Sequence, residues 1–369
     1  MSAKSAAEVV WRGREGAPAD DRPAHPAITT SSAQAQRGAR HQWLTRRRVL
    51  LAGLQLVVLL ICAAVIYGLV RKVDPASVIS QAGHVSWPLV GVAIALNLPT
   101  TLLRARRSQI LLTRLGHHVP FVRMNWVDLA GQTLSWLTPA ASGDLSRPYL
   151  WRNNDRVPVS AGVATVVYER LVTLVQMSVI GGVLAAALFL PPLAAAGLAV
   201  AGLLVLALPW WASVLTRGTR PETLPTTRGL RAGVVRALFQ LHDLGASPRL
   251  TAGFAGYTLV IFAVSGFQIL LLAWALGVGV ALTVAIAAYC LSQVAGSLST
   301  LPFGIGATDL VTIGLLTAGG VGHPAALVIT VLVRLVMTLP LGIAGAVGIL
   351  LLGRPRIAEE QAPGVPAQP

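Results

Sequence analysis

Apolar residues in this chain fall into long uninterrupted runs separated by short polar segments. Val49–Val70 and Leu193–Leu215 carry no charge over 22 and 23 residues. About 20 apolar residues wound as a helix cross roughly 30 Å of hydrocarbon. Such runs predict helices at 49–70, 87–103, 159–190, 193–215, 250–276, 280–301 and 324–353. Only Pro191-Pro192 separates the third from the fourth, so that connection is a hairpin turn. Two further segments, 126–143 and 302–322, are too short or too interrupted by Gly and Pro to be ordinary spans. Broken backbone at membrane depth survives only where it is buried in protein or lines a wet cavity, so function is expected there. The expected fold is all-α and polytopic, an integral membrane protein of about 7–8 transmembrane helices plus short broken or re-entrant ones.

Composition agrees. Of 369 residues, 54% are hydrophobic and 12% charged, too few polar groups to cover a soluble surface. Soluble enzyme folds are excluded. The net charge of +15 lies between the apolar runs without zinc spacing or base-reading aromatics, so no nucleic-acid partner is expected. Placing the N-terminus in the cytoplasm puts 25 of the 29 Lys and Arg on that side, as the positive-inside rule requires. Residues 1–48 form an expected disordered basic tail ending in Arg46-Arg47-Arg48, with no secretory signal. Residues 49–353 form the membrane domain and 354–369 a short disordered tail, in a multi-pass protein of the cell membrane. Trp43, Trp87, Trp151, Trp210, Trp211 and Trp274 sit near span ends as interface anchors. Cys62 and Cys290 lie inside predicted spans as packing residues. His117-His118 has no third ligand at metal spacing, and neither metal nor cofactor is expected.

The two broken segments resemble each other. Gln132 precedes Pro139 by seven residues and Gln293 precedes Pro302 by nine; Gly143 and Gly306 follow each proline after four. Asp144 and Asp309 come next, and 25 residues after each lies a charge within a long helix, Glu169 or Arg334. The pattern predicts a degenerate internal repeat, whose interface is the usual place for a transporter's substrate. An inverted repeat would make 302–322 dip in from outside. Counting spans with Arg354 and Arg356 in the cytoplasm makes it cross; the sequence leaves both open.

Thr165, Glu169, Thr173 and Gln176 share one helix face. This stripe could line a cavity or hold a structural ion pair, since a charge near mid-span needs a partner or water. Arg334, with Thr330 and Thr338, or Arg147 could be that partner; Arg170 points about 100° away. A fork such as that of Arg334 also suits a lipid phosphate. Asp128, Gln132 and Ser135 form a polar face before the Pro139-to-Arg147 break, where an Asp144–Arg147 pair could lie exposed. Gly304-Ile305-Gly306 could form a phosphate nest. Arg104, Arg106 and Arg107 are expected to meet anionic headgroups at the interface.

Three blocks carry a family resemblance: Arg104-x-x-Arg107 through Val119-Pro120-Phe121; Gln132 through Pro139, Gly143-Asp144 and Arg147 to Tyr168-Glu169-Arg170-Leu171; and Pro302 to Asp309. They resemble the transmembrane region of lysylphosphatidylglycerol synthases, shared with stand-alone flippase-like proteins. Where the family often has Pro-Gly-Gly-x-Gly and a Glu, this chain has Phe303 at the first glycine and Asp309 at the acid. The resemblance implies translocation of lipids or lipid-linked headgroups, without enzymatic lysine transfer. Expected partners are membrane lipids, anionic or lipid-linked, and an envelope-lipid biosynthetic enzyme; the alternative role is as a non-catalytic partner or anchor for such an enzyme.

Overall fold

The computed structural model describes residues 80, 83, 85–215, 230–299 and 301–352, with side chains left undescribed at 139–141, 205–215 and 230–232. The 49–70 helix, both tails, Trp43 and Cys62 lie outside the described residues. No strand occurs among them, and the fold is all-α and polytopic.

Helices α1 (Trp87–Ala95) and α2 (Asn97–Arg114) make one 28-residue apolar span, interrupted at Leu96. Pro99 explains the interruption, because it has no N–H to offer the carbonyl four residues earlier. The helix continues well past residue 103, its expected end. Ala105, Leu111 and Leu112 on this extension are fully buried, and inward-facing Arg107 lies 3.4 Å from Glu169.

Next comes a helical hairpin made of α3 (Phe121–Leu137), a 3₁₀ turn (Pro139–Ser146) and α4 (Arg147–Asp155). Its arms are antiparallel. Arg123 reaches the Asn154 carbonyl at 3.1 Å and pairs with Asp155 at the base, while Arg147 lies over Gly131 further up. Gly143 sits against the Leu134 backbone at the tip, where no Cβ would fit. Residues 144–158, expected as a loop, are thus partly helical. Trp151 is fully buried beneath Arg147, its ring centroid 4.9 Å from the guanidinium carbon, and is therefore no interface anchor. Trp87 and Trp274 remain exposed as expected.

Helix α5 (Val159–Phe189) spans, and α6 (Pro192–Leu215) returns after the Pro191 turn. The expected 216–249 loop contains a helix instead, α7 (Leu230–Gly245), which buries Leu244 against α5 and exposes Val234 and Leu238. Helix α8 (Pro248–Ala275) is another span, and its end accepts the Ser86 N–H at 2.8 Å, beside the start of α1.

A second hairpin follows, built from α9 (Leu282–Leu298), a short turn (Pro302–Gly304) and α10 (Ala307–Ala318). Gly296 faces Gly304 and Thr308 at the tip, and Gly319 faces Val284 at the base, so these arms are antiparallel too. Twelve residues in α10 rise only about 18 Å, too little to cross. Residues 302–322 therefore return to the side they came from. The 280–301 helix is one arm of this hairpin.

The last span is α11 (His323–Val333) and α12 (Leu339–Leu352), joined by a π turn over Arg334–Thr338. Pro340 removes the partner of the Val336 carbonyl, and Asn97 Nδ2 supplies one at 2.7 Å. Helix α12 packs against α3 through Gly345, beside Thr133, and Gly348, beside the Trp126 carbonyl. Leu352 joins the cluster of Met124, Val119 and Val157 at the base of the first hairpin. The base of the second hairpin lies with Ser86 and Ala275 at the opposite end. Two hairpins thus enter the bundle from opposite ends, which is the geometry of an inverted repeat.

Candidate functional site

The tips of the hairpins meet through Trp136 and Phe303, whose ring centroids are 6.1 Å apart. Around this contact lies a cavity of about 190 Å³. At ~10–15 Å³ per water, it holds on the order of ten. Its charged wall comprises Arg104, Arg107, Arg147, Arg170 and Arg334 with Asp128, Asp144, Glu169 and Asp309.

The densest wiring is in the first half. Arg147 Nη1 donates to Glu169 Oε2 at 2.7 Å, and Nη2 pairs with Asp128 and reaches Ser108 Oγ at 2.8 Å. Ser108 Oγ lies 2.7 Å from Glu169 Oε1 and 3.0 Å from Asp128 Oδ2. Arg107 Nε is 3.4 Å from Glu169 Oε1, its Nη1 donates to Thr173 and Thr258, and it stacks over Phe254 at 4.5 Å. These charges come from α2, α3, α4 and α5. Removing any partner would leave a buried charge short of its counter-charge.

Two smaller pairs flank the tips. Arg170 pairs with Asp144 and donates to Ser135 at 2.9 Å. Arg334 Nε donates to Asp309 Oδ1 at 3.0 Å, its Nη1 to the Phe303 carbonyl at 2.7 Å, and its Nη2 to Thr308. Asp309 Oδ2 also accepts the Gly306 N–H at 2.9 Å, at the first turn of α10. The broken loop has φ of +56° at Phe303, +60° at Gly304 and +89° at Gly306.

A family model described as the lysylphosphatidylglycerol synthase TM region matches residues 52–345. The chain belongs to this family. Like the lysylphosphatidylglycerol synthase TM region as a whole, it is a multi-pass membrane protein. It is also 29% identical over 140 residues to the glycosyltransferase AglD of Haloferax volcanii. That match covers 38% of this chain and 22% of AglD, so the chain spans well under two thirds of that relative.

Within this family member, most of the residues singled out in the sequence reach the cavity: Asp128, Gln132, Asp144, Arg147, Glu169 and Arg170 from the first half, with Thr173. Gln293, Gly304, Asp309, Thr330, Arg334 and Thr338 reach it from the second. Gly143, Gly306 and Pro302 shape the tips without lining it, and Pro139 opens the first 3₁₀ turn. Thr165 is fully buried away from the cavity and donates to the Ala161 carbonyl at 2.9 Å; Gln176 is buried off it as well.

One open choice is decided and three readings are corrected. Of the two partners left open for Glu169, Arg147 takes it, joined by Arg107, while Arg334 pairs with Asp309. No exposed Asp144–Arg147 pair forms, because Arg147 turns inward to Asp128 and Asp144 is claimed by Arg170. The repeat therefore matches Arg170 with Arg334, one residue on from the spacing drawn to Glu169. Arg104 and Arg107 face the cavity and core instead of the bilayer interface; Arg106 is the exposed member of the three, donating to Gln109 at 2.6 Å. The Gly304-Gly306 amides offer no open nest, since Asp309 already occupies the Gly306 N–H.

Ser108, Asn125 and Thr258 were not singled out in the sequence. Ser108 lies four residues after Arg104 on the same face of α2, a spacing legible only once residues past 103 are taken as helix. His117, in the α2–α3 linker, is held below the usual imidazole value by partial burial and then by neighbouring His118.

Proposed function

We propose that this protein is a lipid translocase of the cell membrane, in which the cavity between the opposed hairpins carries a polar headgroup while its chains stay in lipid. The observation that supports this most is the charged cavity of about 190 Å³ at the meeting point of two broken helical hairpins. Polar groups at membrane depth are expensive and mark substrate paths. In this reading residues 49–353 are the translocating unit between tails 1–48 and 354–369, and the basic segments face the cytoplasm. The protein catalyses no covalent step, and membrane lipids, anionic or lipid-linked, are its partners.

The test is transbilayer exchange of headgroup-labelled lipids in vesicles containing the purified full chain. Exchange above that of protein-free vesicles is expected, and its loss on Asp309→Asn, with helical content and melting near wild type, would tie it to the cavity. No exchange for any headgroup would sink the reading. A second reading has support from the similarity to a glycosyltransferase: the chain serves as a membrane partner of an envelope-lipid or glycolipid enzyme. That reading predicts co-purification with the enzyme and vesicles without intrinsic exchange.

A further inference from the structure

Two helices carry the same spacing, Thr165-x3-Glu169-x3-Thr173 in α5 and Thr330-x3-Arg334-x3-Thr338 in the last span. Positions eight apart on an unbroken α-helix lie about 80° apart around its axis. Helix α5 is unbroken, and Thr165 is accordingly buried off the cavity that Glu169 and Thr173 line. In the last span Thr330, Arg334 and Thr338 all line it. The π turn over Arg334–Thr338 makes the difference. It takes in one residue more than an α turn, which sets the following helix back by about 100° and leaves Thr330 and Thr338 about 20° apart.

The groups that hold this rarer turn lie on other helices. Asn97 Nδ2 donates to the Val336 carbonyl at 2.7 Å, in the middle of the turn. Gln268 Nε2 donates to Asn97 Oδ1 at 3.2 Å and to the Ala93 carbonyl at 2.8 Å, which fixes the way the Asn97 amide faces. Both amides are buried, and neither lines the cavity. Val336 belongs to an apolar cluster with Ala93, Ile269, Leu272 and Leu332, where an unpaired carbonyl is costly.

We propose that Asn97, oriented by Gln268, is a positioning residue for the cavity: by holding the π turn it keeps Thr330, Arg334 and Thr338 on the cavity face of the last span. Only its consequence for exchange rests on the translocase reading. Without the Asn97 donor the Val336 carbonyl is left unpaired and the turn closes to an α turn. The extra residue is then absorbed by rotating one flanking helix against the other, and Thr330 and Thr338 no longer share a face.

The experiment is thiol labelling of the detergent-purified full chain with a small water-soluble methanethiosulfonate. Thr330→Cys or Thr338→Cys is introduced singly after Cys62→Ala and Cys290→Ala. Both thiols should label when Asn97 is present. Asn97→Leu, close in shape but without the N–H, should silence one of the two, and Gln268→Leu should weaken labelling at the same position. Deleting Met337 in the Asn97→Leu chain shortens the spacing to seven, which an ordinary α-helix keeps on one face, and should restore labelling at both. A mere loss of packing is not repaired by removing a residue. The same deletion with Asn97 present should leave both thiols labelled, which decides the matter if Asn97→Leu does not fold. Both thiols labelling alike in Asn97→Leu, or one silent in either deletion chain, overturns the proposal. So does silence of either thiol with Asn97 and Met337 both in place. In vesicles, exchange should fall with Asn97→Leu and recover with the deletion. The expected labelling pattern without exchange in any chain would refute the translocase and leave the positioning role standing.

Discussion

At the first hairpin, Asp144 pairs with Arg170, and three residues beyond Asp144 stands Arg147, tied to Asp128 and to Glu169 beside Arg170. At the second hairpin, Asp309 pairs with Arg334 in the same way, but the matching positions are Thr312 and Val333. One half therefore has a buried charge network behind its outer pair, and the other has the pair alone. The difference in exposure follows: the Arg147 and Glu169 side chains are 8% and 4% exposed, those of Arg334 and Asp309 26% and 17%. One hairpin is thus backed by a buried charge network, and the other is tied at its tip by Arg334 alone, beside a strained turn. If one hairpin moves during transport, the physics favours the second.

The largest effect expected from this asymmetry comes from Glu169→Gln. It leaves Arg107 without a carboxylate and Arg147 with Asp128 alone in the interior, which should cost about 3–5 kcal/mol of stability. Thermal unfolding in detergent should show the chain melting far below wild type or failing to fold. A near-normal melt would mean that the network anchors nothing.

Next in size is packing at the first tip. Gly143→Ala places a methyl group into the Leu134 backbone, which cannot swing aside, at a cost of about 1–3 kcal/mol. Gly314→Ala on α10 meets nothing within 4 Å and should be neutral or slightly stabilising. Equal losses at both glycines would mean that the close approach of Gly143 to the Leu134 backbone carries no weight.

Much of this was legible in the sequence, for a physical reason. Gly-Pro interruption and intramembrane charge are costly, so they appear only where the fold uses them, and Asp128, Arg147, Glu169 and Arg334 stood out accordingly. Pairing was less legible. A helix places Glu169 and Arg170 about 100° apart, so the partner of each depends on how α5 is rotated against the hairpin, which spacing cannot supply. The amphipathic α7 is not legible because its apolar positions are interspersed with cations that read as loop, and the sequence leaves re-entry of 302–322 open because α9 alone is nearly long enough to span.

A smaller effect on stability, but a large one on transport, is expected from Arg334→Gln. Its partly exposed pair should contribute no more than about 1 kcal/mol. Exchange in vesicles should nevertheless fall roughly tenfold if this contact closes the moving hairpin onto the last span. Combining Asp309→Arg with Arg334→Asp should restore part of the rate, whereas exchanging the charges of Glu169 and Arg334, which do not touch, should restore none.

Smallest of all on stability is Phe303→Gly. Phe303 adopts φ of +56°, a region that costs a non-glycine residue about 1 kcal/mol. Glycine would relieve that strain, yet it would forfeit the ring contact with Trp136 and add about 0.5–1 kcal/mol of unfolded-state freedom. These terms oppose one another, so the melting temperature should barely move. The local consequence has a definite sign, because both lost terms are restraints on the turn between α9 and α10. Hydrogen exchange at the amides of residues 303–309 should accelerate, while exchange at the 140–146 turn stays as it was. Faster exchange at both tips would show that the two hairpins open together, and the anchored half would then have to be counted as part of the moving one.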